Sequence, residues 1–235
     1  MSASSTGPAG AATSAARRFT LGLLLLTAAT GAVDAVSYLA LDRVFTGNMT
    51  GNVLFLGFAA VGVGGVPFLN NAVALVGFVV GSIVSGRIVG RGHPTGLPRR
   101  AAGQLIGGGA VLVLLTVVWA VLGELPEPAL LVVTFLLAAV MGGQVTAVKP
   151  IGNSDITTIV VTNTVANLAR DSRLGGGRGE RWVPRLLAVV AMGVGAAIGA
   201  AAVGWMGGPT ALASALVLFL AGTATLVLAA REPRN

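Results

Sequence analysis

The sequence predicts an all-α polytopic membrane protein: six transmembrane helices plus two short re-entrant segments, arranged as inverted three-span repeats. Three observations carry this expectation. Hydrophobic residues make up 54% of the 235 and charged residues only 10%, against about 25% charged in a soluble domain, and mean hydropathy is +0.88. Apolar runs of membrane length recur along the chain, where a membrane barrel would show alternating strands of ~10 residues. Finally, the order long, short, long, long occurs twice.

The same composition excludes intrinsic disorder. Net charge is +7 and the isoelectric point about 11.6, but the basic residues sit in short loops between spans. That is the pattern of the positive-inside rule and not of a basic folded face, so no nucleic-acid partner is expected. With no Cys, disulfides, thiolate metal sites and thiol nucleophiles are out of reach. The lone His93 lies in a Gly-His-Pro loop with no second His, so neither metal nor cofactor is expected. There is no G-x-x-x-x-G-K-[ST], H-E-x-x-H or G-x-S-x-G run, and no enzyme is expected either.

Taken in order, residues 1–18 are rich in Ser, Ala, Gly and Thr and are expected to form a disordered N-terminal tail. The apolar run 19–41 is longer than a signal-peptide core and reads as an uncleaved first span. The polar run FTGNMTGN, residues 45–52, follows, then a short apolar segment, 53–66. Long runs at 68–90 and 101–122 complete a first membrane repeat, 19–125. The second repeat, 126–230, follows the same order: a span at 129–148, a polar stretch at 152–155, a short segment at 157–168, a basic loop, and spans at 183–205 and 210–230. Residues 231–235 are a C-terminal tail. Aligning Thr50 with Thr162, about 112 residues apart, also matches Val53 with Val165 and Leu56 with Leu168.

Basic residues decide whether the short segments cross. If neither crosses and the N-terminus is cytoplasmic, 14 of the 15 Lys and Arg fall inside and only Arg43 outside. If both cross, the split is 9 to 6. Lys/Arg bias sets orientation, so six spans with both termini cytoplasmic is the expectation. Three spans per half then invert the second repeat relative to the first, as in many transporters.

The polar residues of the short segments are the candidate solute or ion pathway, because irregular backbone at membrane depth survives only when buried in protein or lining a watery cavity. In the first half these are Asn48, Thr50, Gly51 and Asn52. Residues 42–49, extended, would descend roughly 26 Å, and Thr50 or Asn48 would cap a helix climbing back through 66. In the second half Thr157 or Thr158 would cap a helix carrying Thr162, Asn163, Thr164 and Asn167, the two Asn sharing a face. Gln144 is a weaker candidate on the span before it. Interhelical glue is the plainer reading of any one of them. Asp34, a carboxylate within the first span, is costly there and reads as a protonatable coupling or substrate group. Its alternative is a carboxylate tied to the N–H groups, Asn48 or Thr50 of the short helix. Lys149 reads as a snorkelling anchor. The pairs Gly77/Gly81, Gly86/Gly90, Gly103/Gly107 and Gly195/Gly199 suit close helix packing.

Residues 31–57 resemble the YoaK-like family of bacterial six-pass inner-membrane proteins, a domain of unknown function. Its D-x-x-S-Y-L…F-x-x-N-x-T-G-N pattern is matched by Asp34, Ser37, Tyr38, Leu39, Phe45, Asn48, Thr50, Gly51 and Asn52. Thr157, Thr158, Thr162 and Leu168 match a second stretch, from which Asn163 departs where the family pattern has Gly. The resemblance spans about 19–230 and implies a six-pass protein of the bacterial cytoplasmic membrane, without substrate or mechanism. The functional expectation is a small secondary transporter or channel for a small polar solute or proton, in the lipid bilayer and with homo-oligomers possible. The alternative is a non-transporting scaffold or accessory subunit of a membrane complex.

Overall fold

The computed structural model describes residues 8–159 and 161–231, with side chains from residue 14 on. Among these residues the regular structure is entirely helical: α1 Pro8–Ala40, α2 Met49–Ala60, α3 Phe68–Val89, α4 Arg99–Leu122, α5 Glu127–Val148, α6 Val161–Arg170, α7 Trp182–Met206 and α8 Gly208–Arg231, with a 3-10 turn at Lys149–Ile151. Six of these helices are long and apolar enough to cross a membrane. At 1.5 Å per residue, the 12 residues of α2 and the 10 of α6 span roughly 18 and 15 Å, too little for a ~30 Å hydrocarbon core.

Large apolar side chains point outward as well as inward: Val80, Ile83, Leu114, Val194 and Val217 are all exposed. A soluble protein could not sustain such a surface; a bilayer, itself apolar, can. The first long helix of each half is the most enclosed. In α1 and α5, 61% of the most apolar stretch is buried, against 22–39% in the other four. Leu26, Val33, Leu137, Met141, Leu212 and Phe219 fill the centre.

Glycine sets how closely these helices approach. A methyl group at Gly195 or Gly199 of α7 would overlap the carbonyls of Ala28 or Ala32 of α1. One at Gly77 or Gly81 of α3 would overlap those of Phe135 or Ala139 of α5. Backbones this close maximise dispersion contact where no hydrophobic force drives helices together. Ser82 and Ser85 reinforce the α3–α5 seam by donating to the Gly142 and Gly143 carbonyls, each at 3.1 Å.

The same contacts fix direction. The pairs 28/195 and 32/199 climb together, so α1 and α7 run parallel; 77/135 and 81/139 make α3 and α5 parallel. Gly22 meets Leu226 while Gly222 meets Leu26, so α8 runs against α1. Gly208 meets Trp119 and Gly108 meets Phe219, so α8 also runs against α4. Gly143 meets Gln104 and Gly108 meets Val140, which sets α5 against α4. Hence α1, α4 and α7 point one way and α3, α5 and α8 the other. Residues 41–67 leave and rejoin the bundle at one end, and 149–181 at the opposite end.

Several boundaries differ from expectation. Helix α1 begins at Pro8 rather than Phe19, because the Ala-rich stretch ahead of Arg17 favours helix; residues 1–7 of the expected tail, and 232–235 at the other end, lie outside the described residues. Helix α2 stops at Ala60, six residues early, where Gly62, Gly64 and Gly65 turn the chain with positive φ. Helix α6 begins at Val161 instead of Thr157, and Thr158 takes a left-handed φ of 61°. A methyl at Gly103 or Gly107 would meet no described residue, and Gly90 ends α3 rather than packing.

Candidate functional site

The FTGN run folds into a tight loop instead of a straight descent, with Asp42 and Arg43 in the left-handed region at φ of 58° and 57°. Its own side chains explain this. Asp34 Oδ1 accepts the N–H groups of Thr46, at 3.0 Å, and Gly47, at 2.6 Å. Asn52 grips Phe45 from the other side: its Oδ1 accepts the Phe45 N–H at 3.0 Å and its Nδ2 donates to the Phe45 carbonyl at 2.5 Å. Asn48 caps α2, its Oδ1 accepting the Gly51 N–H at 3.3 Å. These are charge-assisted and amide bonds in apolar surroundings, where leaving a backbone donor unpaired is costly.

Both motif glycines are demanded by contact. A methyl at Gly47 would press on Thr30 and the Asp34 carboxylate, and one at Gly51 on the Phe45 ring. That ring stacks on Tyr38, with centroids 4.9 Å apart, and on Phe55 at 5.9 Å. The motif is thus a loop-building device whose parts account for one another.

The second short helix is tied down differently. Arg185, on the first turn of α7, donates to Asp155 Oδ1 at 2.9 Å, to the Asn167 carbonyl at 3.0 Å and to Asp171 Oδ2 at 2.7 Å. One guanidinium therefore holds the segment before α6, the last turn of α6 and the loop after it. The hydrogen bonds of Arg170 and, next, Arg185 keep the Asp171 carboxyl down at about 2, from an ordinary 3.8. Asn153 orders the approach by accepting the N–H groups of Asp155 and Ile156. In the first half Asn70, near the start of α3, donates to Asp42 Oδ2 at 3.1 Å. Each short element is thus anchored by an acid ahead of it to the opening of the next long helix.

Between these elements lies a cavity of about 720 Å³. Asp34 and Tyr38 of α1, Asn48 and Thr50 at the start of α2, and Thr162 at the start of α6 line it together. Phe78, Met192, Ala196 and Ala200 supply apolar walls. Of the expected pathway residues, the fold brings Asp34, Asn48, Thr50 and Thr162 together. The other six take different places. Gly51 lies beneath Phe45, and Asn52 is fully buried within the loop. Gln144 donates to Thr30 Oγ1 at 3.1 Å, joining α5 to α1. Thr164 is buried, Asn163 exposed and Asn167 half-buried, all away from the cavity, because the later start of α6 leaves only its first turn there. Sequence reasoning gave no role to Phe78, Met192 or Ala196, since an apolar residue on a long helix reads alike whether it faces lipid or a cavity. The Arg185 anchor was legible only as one cation in a basic loop.

Six membrane-length helices, with two short ones that start at one shared, open cavity, define a polytopic helical membrane protein. Over residues 22–225 the sequence matches the family described as Protein of unknown function (DUF1275), and the chain belongs to that family. It is similar to the UPF0700 transmembrane protein YoaK of Bacillus subtilis (strain 168), with 37% identity over 160 residues, 68% of this chain and 69% of that protein. No solved structure matches it.

Proposed function

We propose that the protein is a small secondary transporter or channel for a small polar solute in the bacterial cytoplasmic membrane, with both termini cytoplasmic. In this reading residues 41–67 and 149–181 dip into the bilayer from opposite faces, as the re-entrant elements of two inverted three-span repeats. One observation carries it: the starts of α2 and α6, from different halves of the chain, line the same cavity as Asp34. The alternating helix directions support the inverted arrangement, as does the packing of α3 along α5 in the way α7 packs along α1. The distribution of Lys and Arg supports the orientation.

The chemistry follows from the lining. Helix starts present unpaired N–H groups and a partial positive charge. Asp34 offsets that charge at the α2 loop, so the cavity favours neutral or zwitterionic polar solutes over simple anions. Asn48, Thr50 and Thr162 offer amide and hydroxyl partners that replace lost water, while the apolar walls leave the rest of the solute without specific contacts.

The test is stopped-flow swelling of proteoliposomes against glycerol, urea, ribitol and glycine. Permeation of at least one probe is expected to exceed that of empty liposomes about tenfold, and Thr50→Leu and Thr162→Leu, which fill the cavity, to abolish it. If no probe permeates through well-folded protein, the scaffold reading stands. That reading draws on the bonds of Asp34, which are spent within the protein on Thr46 and Gly47.

A further inference from the structure

At the end of the bundle where α3 and α5 finish, Arg87, Arg91 and Lys149 line a second cavity, of about 1000 Å³. All three are exposed, and the side chain of none has an ion pair or hydrogen bond to any described residue. The two bonded acids at that end, Asp155 and Asp171, are engaged by Arg185, Arg181 and Arg170. Glu180, in the same loop, pairs with none of the three cations. Three positive charges lining one groove repel one another, no described acid is ion-paired with them, and an anion seated among them would relieve that repulsion.

The shape of the cavity says what kind of anion fits. Val79 and Ile83 line it too, and both are exposed. Val79, Ile83 and Arg87 are four residues apart, so they form one stripe along α3, about 12 Å long, running from the apolar middle of the bundle to its charged end. A cationic rim above an apolar trough suits a phosphate carrying an acyl chain better than free phosphate. We infer that this groove binds an anionic phospholipid: Arg87, Arg91 and Lys149 take the phosphate and the α3 stripe takes a tail. Guanidinium groups match phosphate oxygens two at a time, and basic pockets at helix ends are a known mode of headgroup capture. The site lies apart from the cavity lined by Asp34 and does not depend on transport.

Native mass spectrometry of the detergent-purified full chain tests it, with dioctanoyl phosphatidylglycerol, dioctanoyl phosphatidylcholine and inorganic phosphate as probes. Phosphatidylglycerol is expected to be retained at least about tenfold better than phosphatidylcholine, and the triple variant Arg87→Gln/Arg91→Gln/Lys149→Gln to lose that preference. Arg173→Gln/Arg178→Gln, cations of the nearby loop that do not line the groove, is expected to keep it. If the triple variant does not purify as a single species, Arg87→Gln and Lys149→Gln carry the test singly, each lowering retention about fivefold. Equal retention of the two lipids overturns the inference, as does equal loss in the loop variant. Displacement by inorganic phosphate at matched concentration would mean a free-anion site and also overturn it.

Discussion

At the residue scale, the polar run after the first span is built around two side chains that bind backbone. Asn52 has no exposed surface, and its amide oxygen and nitrogen each bond the Phe45 backbone. Asn52→Ala leaves that N–H and carbonyl unpaired in an apolar site and is expected to cost about 2–4 kcal/mol, read as a lowered midpoint in thermal unfolding. Asp34→Asn keeps the shape and one acceptor, so it should fold while weakening the bonds to Thr46 and Gly47; Asp34→Leu removes both bonds and should cost more. A reversed order would mean that the carboxylate does not organise the loop. Asp171 makes a pH-dependent case. Its carboxyl is held at about 2, below the ordinary value, so its contribution is present above about pH 4 and lost as pH falls through about 2. The gap in unfolding midpoint between wild type and Asp171→Asn is therefore expected to be constant from pH 8 to 5 and to shrink below pH 4. A gap that closes between pH 7 and 5 would contradict this pairing.

At the element scale, glycine spacing announces close packing but not where it occurs. Four small-xxx-small pairs look alike in sequence; Gly77/Gly81 and Gly195/Gly199 meet a neighbouring backbone, whereas Gly103/Gly107 faces open space. Gly195→Ala should therefore force α1 and α7 apart and lower the unfolding midpoint by several degrees. Gly103→Ala should leave it unchanged or raise it, because Ala favours helix over Gly by about 1 kcal/mol. Equal effects of the two changes would mean that the α1–α7 contact is not as tight as described. Helix ends were legible where chemistry marks them, as Asn48 does at α2. They were missed where competing bonds set them: the Asx turn at Asn153 and the left-handed Thr158 delay α6 to Val161.

At the scale of the whole molecule, the six long helices and the two short elements could be read from run length alone, because hydrocarbon thickness fixes what can cross. The cavity was half legible. Its polar lining, Asp34, Asn48, Thr50 and Thr162, stands out against an apolar chain. Its walls, among them Phe78 and Ala196, carry no mark that separates them from lipid-facing residues. Asn163 and Asn167 misled because their facing depends on the start of α6, which local turns decide.

The arrangement of the two short elements rests most directly on which face the α2–α3 loop occupies. With no native Cys, single-Cys labelling is clean. Val63 and Thr95 are exposed and avoid the positive-φ glycines on either side. In intact cells treated with an impermeant maleimide, Val63→Cys is expected to label and Thr95→Cys to remain protected until the cells are opened. Labelling of Thr95→Cys with protection of Val63→Cys would contradict the account. Either the bundle sits the other way up in the membrane, with the termini outside, or α2 crosses, and in the second case the cavity does not lie between elements entering from opposite faces.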